Sequence, residues 1–398
     1  MTVPALADDT RLTTSDRRWI GVGRSAASEP KHEAVRAATD GRQPSVVIVF
    51  ASSELDLAAV ISEVRTAVVA DVPVVGCTTA GEMATAGPSV GGVVVVALGG
   101  PDFSVVTAVA ENVDAGLREA GAKVAATVSQ LEPRPYRVLL LLTDGLAGDQ
   151  QEIVRGAYSM VGAQVPLVGG CAGDDLHMKS TSVFYNDRVL TNAIVGVAIG
   201  STAPFGIGVR HGWRRVGEAI LVTGSEGTTV RTLDDKPALD VYLHRLGAPA
   251  EATANPEAFA RFAMTHPLGV SRRSGEEVRF IAGADFEARS LQCIAQVPQG
   301  GLAWIMEGDD ESVLAATDAA CAEALGQLDG HEVKGVLAFD CIARRAVLGD
   351  VGIEREVERI SRAVLGAPVA GFYSYGEIAR TKGTGGFHNQ TLVVLAVS

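Results

Sequence analysis

A short phrase recurs three times along this chain and restricts its fold more than any other feature. Pro73-Val-Val-Gly-Cys-Thr-Thr-Ala-Gly-Glu82, Pro166-Leu-Val-Gly-Gly-Cys-Ala-Gly-Asp-Asp175 and Pro368-Val-Ala-Gly-Phe-Tyr-Ser-Tyr-Gly-Glu377 each run from proline through apolar residues to a glycine. Each then passes through a loop of small residues to glycine and an acid. The first and third copies agree in spacing, and the second is one residue shorter. Repetition of this kind means that one structural unit is reused, and its recurring loops are where function is to be sought.

The repeat extends upstream. An apolar, strand-like run precedes each copy: Val46 to Phe50, Val138 to Leu142 and Val336 to Phe339. Between run and proline, apolar residues fall at helical spacing. They are Leu57, Val60, Ile61, Val64 and Val68 in the first copy, and Ile153, Val154, Ala157, Met160 and Val161 in the second. In the third they are Ile353, Val357, Ile360 and Val364. Such spacing makes one stripe of a helix, and strand–helix–strand reads as a βαβ crossover with parallel strands. Each glycine–acid loop therefore leaves the carboxyl end of a strand. Further apolar runs, Val93 to Leu98, Ile194 to Ile199 and Thr391 to Val397, predict one more strand per unit.

The rest fits around these units. Trp19 to Gly23 reads as an edge strand before a helix at Lys31 to Ala38. Gly206 to Leu233 alternates with period two, as antiparallel hairpins do. A helix is expected within Asp235 to Gly247, and residues 248–262 read as a connection or surface helix. Strands are expected over Val278–Ile281, Leu291–Val297 and Leu302–Met306. A helix over Val313–Leu325 would be capped by Asp309 or Asp310. The expected class is α/β: repeated βαβ units with largely parallel or mixed sheets in two halves, and antiparallel hairpins between. The expected divisions are an N-terminal extension (1–43), a first domain (44–232) and a second domain (233–398).

Composition excludes several functions. Lys and Arg number 34 against 47 Asp and Glu, a net charge of −13, which repels nucleic acid and anionic membranes. No apolar run is long enough to span a bilayer, and Met1 to Asp16 lacks the apolar core of a secretory signal, so a cytoplasmic protein is expected. Five cysteines without a C-x-x-C pair argue against a disulfide framework or a zinc cluster. Gly21-Val-Gly23 has too few glycines for a dinucleotide loop. Lys382-Gly-Thr-Gly-Gly-Phe387 lacks the ending of a P-loop and reads as a flexible turn.

Several of these segments resemble a known family. Val74-Val-Gly-Cys-Thr-Thr-Ala-Gly-Glu82 resembles the signature of the FIST N domain. Gly371-Phe-Tyr-Ser-Tyr-Gly-Glu-Ile378 with Phe387-His-Asn-Gln-Thr391 is similar to the end of the FIST C domain. Gly212 to Gly217, Leu233 to Leu239 and Phe339 to Arg344 resemble segments between. The resemblance implies a sensory role (F-box and intracellular signal transduction). It implies a small ligand, an amino acid being the common suggestion, and a separate partner: a histidine kinase, a chemotaxis receptor or a cyclic-di-nucleotide enzyme. Some members bind haem and respond to nitric oxide.

Candidate chemistry gathers at the strand ends. In open parallel sheets ligands sit beyond the carboxyl ends of strands. Those ends carry Cys77, Thr78, Thr79, Glu82, Asp144, Asp174, Asp175, Arg344, Tyr373, Ser374, Tyr375 and Glu377, with His388 and Asn389 in the matched FIST C segment. Glu82 and Glu377 could accept an ammonium group, and Arg344 or Arg380 could fork onto a carboxylate, which together suit an amino acid. Each acid could equally cap a turn. Ser374 lies one place too late for a nucleophile elbow, so no enzyme is expected, although a hydrolase or transferase in the same cleft stays open. Asp174-Asp175-Leu-His177 reads as a turn rather than a metal site. No cofactor is expected. Haem is the alternative, with His388 as its candidate ligand.

Overall fold

In the computed structural model, residues 17–272, 275–380 and 386–398 are described; residues 381–385, with most of the glycine-rich segment, and residues 1–16 of the expected extension lie outside them. The three predicted crossovers are present. Val46–Ser52 pairs in parallel with Val74–Thr79, Tyr136–Thr143 with Leu167–Cys171, and Gly335–Cys341 with Val369–Ser374. The helices between are Leu57–Ala67, Gln150–Val161 and Ile342–Ala363. The further strands are Val93–Gly99, Ala193–Ser201 and Leu392–Val397, each antiparallel to the first crossover strand of its unit.

Each unit also has an outer strand: Trp19–Ser25, Phe103–Glu111 and Phe205–Arg210. A helix covers each of these: Lys31–Thr39, Leu117–Ala125 and Asp310–Gly326. The glycines of Trp19-Ile-Gly-Val-Gly23 have a packing role. A Cβ at Gly21 would stand 1.9 Å from the carbonyl of Ala38, and one at Gly206 would stand 1.8 Å from that of Ala324. Helix and strand approach more closely than any side chain permits.

The alternation within the strands sets the layers. Val46, Ile48 and Phe50 face a common core with Val138, Leu140, Leu142, Leu337 and Phe339. The intervening Val47 and Val49, Leu139 and Leu141, and Val336 and Ala338 face outward onto each unit's own helices. Three sheets thus surround one apolar centre, and the helices lie outside. The crossover strands are buried on both faces over most of their length, which explains their unbroken apolar runs.

The units are tied in a ring. After its recurring loop, each chain segment leaves its own sheet and adds a hairpin to another. The hairpin Glu82–Ala84 with Gly87–Ser89 extends the third unit's sheet, pairing with Val369–Ser374. Val183–Tyr185 with Arg188–Leu190 extends the first unit's sheet beside Val74–Thr79. Glu377–Arg380 with Phe387–His388 extends the second unit's sheet beside Leu167–Cys171. The two sequence halves are therefore interleaved.

Between the outer strand and the first helix of the third unit sits an insert with its own core, from Ile220 and Val222 through Tyr242 and Phe259 to Ile305. Its strands, Arg214–Glu226 to Leu302–Glu307, pair antiparallel throughout. The expected helices appear as Ala238–Arg245 and Pro256–Met264. Asp309 is the cap of the following helix: it accepts from the Ser312 N–H, and Ser312 answers the Asp309 N–H, a capping box.

Candidate functional site

The three recurring loops meet and bond to one another. The Ala80 N–H donates to the Tyr373 carbonyl (2.9 Å), and the Tyr373 N–H to the Gly81 carbonyl (2.8 Å). The Gly173 N–H donates to Thr78 (3.0 Å), and the Cys171 N–H to Gly376 (2.8 Å). The centre of this knot is filled by the chain itself, and the loop acids serve it. Glu82 accepts from the Thr79 hydroxyl (2.5 Å) and the Gly92 N–H (3.2 Å). Glu377 accepts from the Ser374 hydroxyl (2.7 Å) and from both the N–H and the hydroxyl of Thr391 (3.0 and 2.9 Å). Both carboxyls are fully buried. Burial raises each from about 4.5 to about 7, against the pull of these donors.

In the second, shorter copy a different acid takes this place. Gly92 and Thr391 immediately precede the last strand of their units, and so does Asn192. The Asn192 N–H donates to Asp144, which also accepts from the Leu146 N–H (2.9 Å) and the Thr181 hydroxyl. Asp174, the apparent sequence equivalent, instead accepts from the N–H groups of Met178, Lys179 and Ser180 and from the Tyr375 hydroxyl. Burial alone would raise its pKa, but these donors together hold it below the usual carboxylate range.

Arg344 is fully buried and cannot fork onto a ligand. Its Nε donates to Asp340 (2.5 Å), and its terminal nitrogens donate to Glu356 (2.8 Å), Thr317 (2.9 Å) and the His211 carbonyl (2.8 Å). Tyr373 donates to the other oxygen of Glu356 (3.2 Å). Arg380 lies over the Tyr158 ring. Cys77 packs in the core, where burial pushes its thiol well up. Thr78 bonds to Ser182. Asp175 pairs with Arg345 (2.6 Å). The imidazole of His177 closes on the Asp174 carbonyl, as a turn would. Among the described residues no group of three or more His, Cys, Asp or Glu is placed to hold a metal ion.

An open cavity lies at the edge of the knot, where the second unit, the third unit and the insert meet. Its volume is about 130 Å³. Leu176, Met178, Phe280, Ile294, Ile342 and Phe387 form apolar walls, and Gln150, Cys341, Tyr375 and Asn389 bring polar atoms. Of the predicted residues, Tyr375 and Asn389 are the two that line it. Gly145 makes room for Tyr375: a Cβ there would stand 3.2 Å from the ring and 2.1 Å from the Ala172 carbonyl. Phe280 and Ile294 come from the insert, and no local pattern in the sequence ties them to the repeat loops.

Two residues of this wall carry buried acceptors that have no partner among the described residues. Gln150 and Asn389 are 4% and 1% exposed. The amide nitrogen of Gln150 donates to the Asp144 carbonyl (2.9 Å), and that of Asn389 donates to the His388 carbonyl (2.9 Å), which fixes both orientations. Among the described residues their oxygens have no hydrogen-bond partner. A buried polar atom left so costs about 1–3 kcal/mol, and both atoms belong to residues of the cavity wall. The loop over the cavity is strained as well: Leu176 and Met178 have φ of 65° and 52°. The Tyr375 hydroxyl clamps this loop by donating to Asp174 and accepting from the Leu176 N–H (2.8 Å).

The site does not fit a haem. The Nε2–H of His388 donates to the Ala379 carbonyl (2.9 Å), with that tautomer assigned from the carbonyl acceptor, and burial lowers the imidazole pKa. The adjoining space, about 130 Å³, is below the roughly 300–1,000 Å³ of pockets for drug-sized ligands.

The FIST N domain profile matches residues 45–236 and the FIST C domain profile residues 238–380. The chain belongs to the FIST family. FIST domains are sensory domains of signal transduction. Curated relatives include an uncharacterized protein of Mycobacterium tuberculosis (strain H37Rv), 27% identical over 233 residues. That match covers 56% of this chain and 59% of the relative. An uncharacterized Mycobacterium bovis protein is 26% identical over 240 residues, 56% of this chain and 58% of its own length. The FIST chain thus spans less than two thirds of either relative. A solved structure of a cyanuric acid hydrolase from A. caulinodans aligns with 96% of the chain and 99% of its own, at 11% identity. Its TM-score of 0.34 is too low to carry an argument. Among the described residues no helix is long and apolar enough to cross a membrane.

Proposed function

We propose that this FIST protein is a non-enzymatic, cytoplasmic sensor whose effector binds the cavity between the repeat units and the insert. The observation that carries the reading is the pair of orphan oxygens, on Gln150 and Asn389, two residues in the wall of a mainly apolar pocket. They call for a small ligand with an apolar body and a donor end, such as a primary amine or the ammonium of an amino acid. An apolar cavity of about 150 Å³ holds benzene, so one of about 130 Å³ takes a group of that size and leaves the remainder at the mouth.

The position supports signalling. Phe280 and Ile294 belong to a body with a separate core, so a ligand touching them and Tyr375 binds one arrangement of insert and ring better than another. Only such a difference in affinity transmits a signal. The output goes to a separate partner of the kinds the family resemblance implies: a histidine kinase, a chemotaxis receptor or a cyclic-di-nucleotide enzyme. The non-enzymatic reading draws support from the local chemistry. Ser374 is buried and donates to Glu377, and the Cys341 thiol is pushed up chiefly by burial and next by Glu377.

A thermal-shift screen with amino acids and short-chain amines tests this. A ligand at a hundred times its Kd adds about 2.7 kcal/mol. At least one compound should raise the melting temperature at millimolar concentration. The gain should vanish in Asn389→Leu, and in Phe280→Trp, which fills the pocket. A flat response across the panel would sink the proposal, as would a gain that survives both substitutions.

A further inference from the structure

A second and larger cavity, about 630 Å³, opens at the opposite, amino ends of the strands. There the outer strand of the first unit crosses the segments that lead into Gly335–Cys341 and Val369–Ser374. Its volume falls within the roughly 300–1,000 Å³ common to small-molecule sites. None of the recurring loops reaches it, and the sensory reading makes no use of it.

Its charge runs against that of the whole chain. Arg18, Arg42 and Lys334 line it with a single carboxylate, Glu332. The guanidinium carbon of Arg42 lies over the Trp19 ring, 4.2 Å from its centre, and so is held against the wall. Arg18 donates through one terminal nitrogen to the Thr202 hydroxyl (2.7 Å), while its Nε is buried with no partner among the described residues. Asp102, whose charge Arg18 feels, is already bound by Arg17 at 2.6 Å. The Lys334 side chain is 9% exposed, and its carboxylate partner Glu332 is 77% exposed. Three cations are thus fixed in a concave wall of a protein with net charge −13. Such a wall focuses a positive field, and arginine forks suit planar or tetrahedral anions. At the rim Leu365 is 94% exposed, an apolar contact for an organic body.

We infer that this cleft is a binding site for a small organic anion, a carboxylate or phosphate ester with an apolar portion. The anionic group meets Arg18, Arg42 and Lys334, and the apolar portion lies toward Leu365. Isothermal titration of the full chain at low salt, with phenyl phosphate, benzoate and neutral benzyl alcohol as probes, tests this. At least one anion should bind with a stoichiometry of one, and benzyl alcohol should not. Which of the two anions binds more tightly distinguishes phosphate from carboxylate chemistry. Lys334→Gln and Arg18→Gln, confirmed as folded by circular dichroism, should each weaken binding at least tenfold. Asn389→Leu, which disables the other cavity, should leave it unchanged, so that either site can fail without the other. Absence of binding by both anions overturns the inference, as does unchanged affinity in both cation variants.

Discussion

Glu82 and Glu377, candidate ligand contacts that could equally cap turns, each brace their recurring loop against the residue that precedes the last strand of the same unit. Their raised pKa values make that role measurable. Each moves from about 4.5 to about 7 because burial disfavours the charged form. The folded chain therefore holds the proton more tightly than the unfolded one. Stability from these groups is complete below pH 4.5, is lost as pH rises to 7, and changes no further above that. The shift corresponds to about 3 kcal/mol per carboxyl at most. His211 and His388 act in the opposite sense, because burial lowers both and makes stability rise as pH approaches 6.5. The comparison must therefore be differential. Glu82→Gln with Glu377→Gln copies the protonated acids, so the variant should gain on the wild type between pH 5 and 8, by a few kcal/mol in denaturant titrations. Parallel pH profiles would show that the two carboxyls ionise normally in the fold.

At the scale of elements, the glycine three residues after each proline has one cause in all three units. A Cβ at Gly76 would stand 2.0 Å from the Val49 carbonyl, at Gly169 1.9 Å from that of Leu141, and at Gly371 2.0 Å from that of Ala338. These are the residues paired across the parallel strands. Gly371→Ala must force the two strands apart in the core and should cost at least about 3 kcal/mol, the scale of severe core substitutions. Gly283→Ala, where nothing lies within 4 Å, should be close to neutral. Equal denaturation midpoints for the two variants would refute this account. The crossovers were legible because both signals, β-branched runs and helical spacing, are local. The role of Asp144 was hidden: the shorter second loop shifts the carboxylate to the end of the preceding strand, and only the three-dimensional equivalence of Gly92, Asn192 and Thr391 reveals it.

At the scale of the molecule, the exchange of hairpins is what the sequence concealed. Nothing in Glu82-Met-Ala84 says that its partner is Phe372, nearly three hundred positions away. The apolar strand pattern fixes which face is buried but not which neighbour is chosen. The exchange has a consequence for the two FIST segments. Cutting the chain after residue 236 leaves the hairpin at Glu82 without Val369–Ser374 and bares the edge of Leu167–Cys171, where Glu377–Arg380 belongs. It also opens the central core, to which Leu337, Phe339, Phe372 and Leu395 contribute. A long, flat, apolar edge of this kind invites pairing with other chains. Residues 17–236 made alone should therefore aggregate or elute as oligomers in size-exclusion chromatography. Co-expression with residues 237–398 should recover a one-to-one complex with a single melting transition. A monomeric first fragment with its own cooperative melt would mean that the ring is dispensable and that the FIST N segment is a free-standing domain.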